Sequence, residues 1–201
     1  MTGPAAPGRA GPRQLLIAGV GNVFLGDDGF GVEVAERLTT AALPEWAHVA
    51  DYGIRGMHLA YDLADRYDSA ILVDAMPRGG APGTVYVIEP ALADIPEPGA
   101  RPEHGDEVGA ILAGSPMLDA HGMQPDVVLR MLATLGAADR QVLIVGCEPE
   151  RVSYGMGLSP PVAAAVDEAV RVILDLVGRA GGSDRHELVT KERADVPGHP
   201  R

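Results

Sequence analysis

Four short aliphatic runs constrain this chain most: QLLIAG at 14–19, AHVAD at 47–51, SAILVD at 69–74 and QVLIVG at 141–146. Most are apolar at successive positions, which suits strands covered on both faces rather than strands with one wet side. A fifth run, TVYVIE at 84–89, is β-branched and also predicts a strand. Helical patterns fill the intervals. Phe30, Val34 and Leu38 recur at helical spacing, and 57–67 forms a second helix. Residues 125–135 place Val128, Met131, Leu132 and Leu135 on one face. Ser159-Pro160-Pro161 opens the last helix, whose apolar face is Val162, Val166, Ala169, Val170, Ile173, Leu174 and Val177. The alternation predicts a three-layer α/β/α sandwich around a twisted, mostly parallel five-stranded sheet.

The 201 residues suit one domain of this type. Residues 14–179 are expected to form it. The Pro/Gly-rich arm 1–13 and the tail 180–201 have no periodic apolar face and are expected to be disordered. Residues 90–122 carry five prolines and no clear pattern, and loops of that length tend to be functional or disordered. Aromatic residues make up only 4% of the chain, so the core must be aliphatic. Cys147 is the sole cysteine, which excludes an intrachain disulfide framework and any site built from several thiolates of this chain. No run is long and apolar enough for a membrane span, and the opening MTGPAAPGRAGPR is too polar for a secretory signal. A soluble cytoplasmic protein without a membrane partner is expected. The formal net charge is −12, and residues 14–179 hold 24 acids against 10 bases. Such a body is a poor partner for nucleic acid; it suits a cation, a cationic partner or plain solubility.

In a sheet of parallel strands, ligands bind beyond the carboxyl ends. After the first strand comes a loop from Gly19 to Gly31 that contains Asp27 and Asp28. Asp51 follows the second strand, Asp74 ends the third, and Cys147, Glu148 and Glu150 follow the fifth. The glycine loop is not a dinucleotide fingerprint, because Phe24 stands where the third glycine is required. Nor does Gly-Lys-Ser/Thr, the mark of a Walker loop, occur anywhere. Two aspartates beside the loop would also repel a pyrophosphate.

A divalent metal fits this edge better. Asp28, Asp74 and His121, which closes the long loop before the 125–135 helix, supply two carboxylates and an imidazole, a set with room for exogenous ligands. Each has a plainer use as well. Asp28 suits a helix N-terminus, Asp74 can cap the turn Ala75-Met76-Pro77, and His121 can be a simple loop histidine. Their convergence on one edge singles them out. The rival group Glu103, His104, Asp106 and Glu107 has ligand chemistry but no rigid element beneath it. His58, within a helix, suits packing or surface. Cys147 as a nucleophile lacks a histidine nearby in sequence, and burial is the commoner fate of such a thiol.

The blocks GVGNVFLGDDGFGVEVAERL, DYGIRGMHLAYDL, ILVDAMPRGGAPGTVYVIEP, DAHGMQPDVVLRML, VLIVGCEPE and GLSPPV occur in this order. Together they closely resemble the hydrogenase maturation proteases, nickel-dependent endopeptidases that trim the large subunit of [NiFe] hydrogenases. The likeness covers roughly residues 14–178, and its most specific part runs from Gly19 to Gly31. It implies a twisted five-stranded sheet with helices on both faces, and a substrate that is a large-subunit precursor already loaded with nickel. It places the family's nickel-contacting residues on Asp28, Asp74 and His121. Many members carry Glu where this chain has Asp28, and the shorter arm asks for a closer backbone. Asp51 matches another recurrent acid, with either a catalytic or a structural role.

On this resemblance the nickel is carried by the precursor, held by substrate cysteines, and is not a resident cofactor. The ion serves as a check on the substrate or as a Lewis acid, while Asp74 or Asp51 is the alternative general base. The partner is the precursor, and the enzyme is expected to be a monomer. The competing readings are a non-proteolytic metal- or partner-binding maturation module on the same fold, and a nucleotide-binding protein.

Overall fold

The computed structural model describes residues 13–90 and 125–182. In chain order these form β1 (Leu15–Val20), α1 (Phe30–Leu38), β2 (Ala47–Gly53), α2 (Gly56–Arg66), β3 (Ser69–Ala75), β4 (Val85–Ile88), α3 (Pro125–Thr134), β5 (Gln141–Cys147) and α4 (Pro160–Gly182). A single 3-10 turn, Asp27–Gly29, leads into α1. The strands form one five-stranded sheet in the order β2-β1-β3-β5-β4. All neighbours are parallel except β4, which runs antiparallel to β5 at the edge. The fold expected from the alternation of aliphatic runs and helices is thus present. The expected elements agree with the observed ones to within a residue or two, except that α4 continues to Gly182, beyond the expected limit at 179.

The pattern of consecutive apolar residues has its cause in two separate cores. On one face, Leu15, Ile17, Ile71, Val73, Leu143 and Val145 meet α1 and α4 through Phe30, Val34, Leu38, Val162, Val166 and Ile173. On the other, Leu16, Ala18, Ala70, Leu72, Val142 and Ile144 meet α2 and α3 through Leu59, Leu63, Val128, Leu129 and Leu132. Odd and even positions of β1, β3 and β5 serve different layers, so both sets are apolar. Each fully buried Leu, Ile or Phe contributes about 1.5–3 kcal/mol relative to exposure. On α3, Leu129 is buried where Leu135 was expected, and Leu135 lies exposed beyond the helix end.

Two glycines decide how closely α1 approaches the sheet. A Cβ on Gly31 would lie 2.1 Å from the Val73 carbonyl oxygen and 2.3 Å from that of Val20. Only glycine lets the first turn of α1 rest directly on the ends of β1 and β3. Gly21 has φ 129°, and a Cβ there would fall 1.8 Å from the Asp28 carbonyl oxygen. The chain therefore folds back on itself immediately after β1. The turn carrying Asp27 and Asp28 is held at the ends of β1 and β3, from which the chain departs in opposite directions along the sheet. This is the switch point where doubly wound sheets bind ligands.

A carboxylate-lined crevice at the switch point

Asp74 sits at the carboxyl end of β3 and is 6% exposed. Among the described residues, its carboxylate accepts one hydrogen bond, from the Ala75 amide at 2.8 Å. Burial pushes its pKa well above the ordinary value of 3.8, and the negative charge of Asp28 pushes in the same direction; the Ala75 amide opposes them. Asp28, half-buried, accepts from the Asn22 amide at 2.8 Å. Asp74 Oδ1 lies 3.7 Å from the position a Gly21 Cβ would take, so the glycine loop packs close to this carboxylate. Asp74, with one donor and the charge of Asp28 acting on it, therefore favours its protonated form.

The other expected site residues are distributed differently. Asp51 lies on β2, opposite Gly19 of β1, with an exposed side chain. Its backbone carbonyl accepts from the Arg55 guanidinium. Among the described residues no three His, Cys, Asp or Glu side chains are gathered closely enough for one ion, so Asp51 does not complete a triad with Asp28 and Asp74. His121 and the rival group Glu103, His104, Asp106 and Glu107 lie outside the described residues. His58 is exposed. Cys147 is fully buried, and burial together with the charges of Asp27 and Glu148 pushes its thiol up to about 12. That makes it a core side chain and a poor nucleophile at neutral pH.

Two further carboxylates have roles that sequence reasoning missed. Asp27 is fully buried. It accepts from the amides of Glu150 and Arg151, each at 2.9 Å, from the Ser159 amide at 2.6 Å, and from the Ser159 hydroxyl at 2.9 Å. Burial opposes its ionisation, but these donors outweigh burial and hold its pKa below the ordinary value. Ser159, expected as a helix cap, thus directs its hydroxyl to Asp27.

Glu148 follows β5 and accepts from the Arg78 and Gly79 amides and from the Tyr86 hydroxyl. These bonds, with one from the Gly80 amide, outweigh desolvation and lower its pKa. A Cβ on Gly80 would lie 2.0 Å from the Tyr86 hydroxyl oxygen and would displace that donor. Asp27 therefore fixes the loop after β5, and Glu148 fixes the loop after β3. The visible signal in the sequence was only the gathering of acids at strand ends.

The fold is that of an α/β protein with Asp28 and Asp74 at the carboxyl end of its parallel strands. Residues 104–176 match the family model described as hydrogenase maturation protease. The chain is 30% identical over 170 residues to the hydrogenase expression/formation protein HoxM of Azotobacter vinelandii, covering 84% of this chain and 74% of that one. It is 29% identical to the hydrogenase 2 maturation protease of Escherichia coli, covering 84% and 93% of the two chains. The solved structure of the hydrogenase maturating endopeptidase HybD from E. coli superposes with a TM-score of 0.62 at 28% identity, covering 84% of this chain and 94% of that one. This chain belongs to the hydrogenase maturation proteases, and it is an endopeptidase.

Proposed function

We propose that this endopeptidase removes the C-terminal extension of a [NiFe] hydrogenase large-subunit precursor that already carries nickel. The observation that carries the reading is the convergence of Asp28 and Asp74 at the switch-point crevice, with fewer donors than two carboxylates need. A cation delivered by the substrate satisfies both. Asp28, Asp74 and His121 would contact the nickel held by the precursor's cysteines, so a precursor lacking the ion docks poorly. The ion at that position also polarises a neighbouring carbonyl or water, which is the chemistry needed to cut a peptide bond. Asp51, one strand away, is the further carboxylate available to take a proton from the attacking water. Among the described residues no helix is long and apolar enough to cross a membrane, and we place the enzyme in the cytoplasm as a monomer, with neither membrane nor nucleic acid as partner.

The test is a comparison of nickel-loaded and nickel-free precursor with the same metal-stripped enzyme, following the mass of the large subunit. Cleavage of the loaded form alone is the expected result. Equal rates, or activity that depends on an ion retained by the enzyme itself, would overturn substrate-borne nickel.

A further inference from the structure

The chain has only two phenylalanines. Phe30 is fully buried, as an aromatic in an aliphatic core should be, whereas Phe24 is 62% exposed. Tyr154 is 95% exposed and Met156 75%. These side chains belong to one composite surface. The Gly155 amide donates to the Phe24 carbonyl at 3.0 Å, and the Gly26 amide donates to the Gly155 carbonyl at 2.8 Å. Leu25 and Gly26 make isolated bridges to Gly155 and Val152. On the other side of the glycine loop, the Gly21 amide donates to the Gly53 carbonyl at 3.1 Å, which brings Ile54 and Met57, 62% and 61% exposed, alongside. The apolar tips thus flank the glycine loop that bears Asp28, at the same edge of the sheet as Asp74.

The backbone beneath the tips is fixed. The loop after β5 is pinned at both ends by Asp27, through the amides of Glu150, Arg151 and Ser159. Exposed apolar side chains on a loop anchored in this way cost little backbone entropy to dock. Exposed aromatic and methionine side chains around a polar crevice are the composition of a protein-binding surface.

Resting on the function proposed above, we infer that Phe24, Tyr154, Met156, Ile54 and Met57 form the docking rim for the precursor, gripping apolar chain on either side of the nickel. Charge selects this occupant. A second copy of the enzyme would bring another Asp28–Asp74 pair, and another strongly acidic body, to the same face. The precursor instead brings a cation to the carboxylates and apolar chain to the rim. An anionic membrane is excluded by the same repulsion.

The experiment uses the full chain carrying Phe24→Ser, Tyr154→Ser and Met156→Ser, with nickel-loaded large-subunit precursor encoded by the same genome as substrate. The expected result is a KM raised about tenfold or more with kcat within about threefold, because the rim binds and does not react. Tyr154→Ser alone, at a position almost wholly in solvent, should move KM in the same direction and guards against misfolding of the triple variant. Leu135→Ser, the same kind of change at the opposite edge of the sheet, should leave KM unchanged. An unaltered KM in the triple variant, while the wild type cuts the precursor, overturns the rim and leaves the proposed function standing. A wild type that leaves the loaded precursor uncut removes both. Self-association of the wild type that the triple variant abolishes would assign the rim to a second copy and also overturn the inference.

Discussion

Asp27 and Asp74 are both buried carboxylates at the same end of one sheet, and they are treated oppositely. Asp27 receives four hydrogen bonds, and its ionised form is favoured. Asp74 receives one from Ala75 and faces the charge of Asp28, and its ionised form is disfavoured. The first is a finished structure, in which the negative charge organises a loop. The second has a single donor, and on the proposed function the substrate's cation completes it. Buried carboxylates therefore divide here by the number of donors around them, not by their depth.

Removing the finished one should have the largest effect. Asp27→Ala leaves the amides of Glu150, Arg151 and Ser159 without their acceptor, at a cost of about 3 kcal/mol or more. A fall in Tm of roughly 6–12 °C is expected for a chain of this size. A melting curve superimposable on that of the wild type would mean that water serves those amides equally well. Asp74→Asn should do the reverse. It relieves a buried like-charge contact, so the free enzyme should melt about 2–4 °C higher, while cleavage of nickel-loaded precursor falls on the order of 100-fold. If Asp74→Asn lowers Tm, the contrast with Asp27 fails.

Asp28→Asn retains an oxygen for the Asn22 amide and should fold normally. Its cleavage rate should drop by about tenfold or more, and its smaller stability gain should mirror that of Asp74→Asn. The smallest effect is the pH dependence. Asp27 has a depressed pKa, so its contribution is present above the unfolded value of 3.8 and is lost as pH falls through its lower folded value. Asp74 has a raised pKa, so it opposes folding increasingly as pH climbs from 3.8 toward its folded value. Thermal stability should therefore rise less with pH below 3.8 in Asp27→Asn than in the wild type, and fall less with pH above 3.8 in Asp74→Asn. Identical profiles for both variants and the wild type would show that neither group is linked to folding.

The same pair explains what a sequence discloses about such a protein. The three inner strands β1, β3 and β5 were legible because both of their faces are buried, so their aliphatic runs are uninterrupted; the edge strand β4 was legible from its β-branched residues. The position of the crevice followed from topology. Asp28 and Asp74 were legible as acids at or after strand ends, and the charge of Asp28 acts on the buried Asp74. Asp27 was not legible, because it differs from its neighbour Asp28 in nothing but direction. That direction is set by Gly26 at φ 65° and the 3-10 turn that follows, and its donors lie more than 120 residues further along the chain. Glu148 was visible as an acid but not as the acceptor that holds 78–80, since its partners belong to a different strand connection.

The bond from Ser159 to Asp27 spans 132 residues of sequence. During synthesis the glycine loop emerges long before its anchors, and none of the four donors to Asp27 exists until residues 150–159 are made. Closing so long an interval is entropically slow compared with forming local contacts. The loop bearing Tyr154 and Met156 therefore acquires its fixed shape late in folding. A nascent or truncated chain with most of its sheet in place would hold Asp28 and Asp74 but no set surface with which to receive another protein.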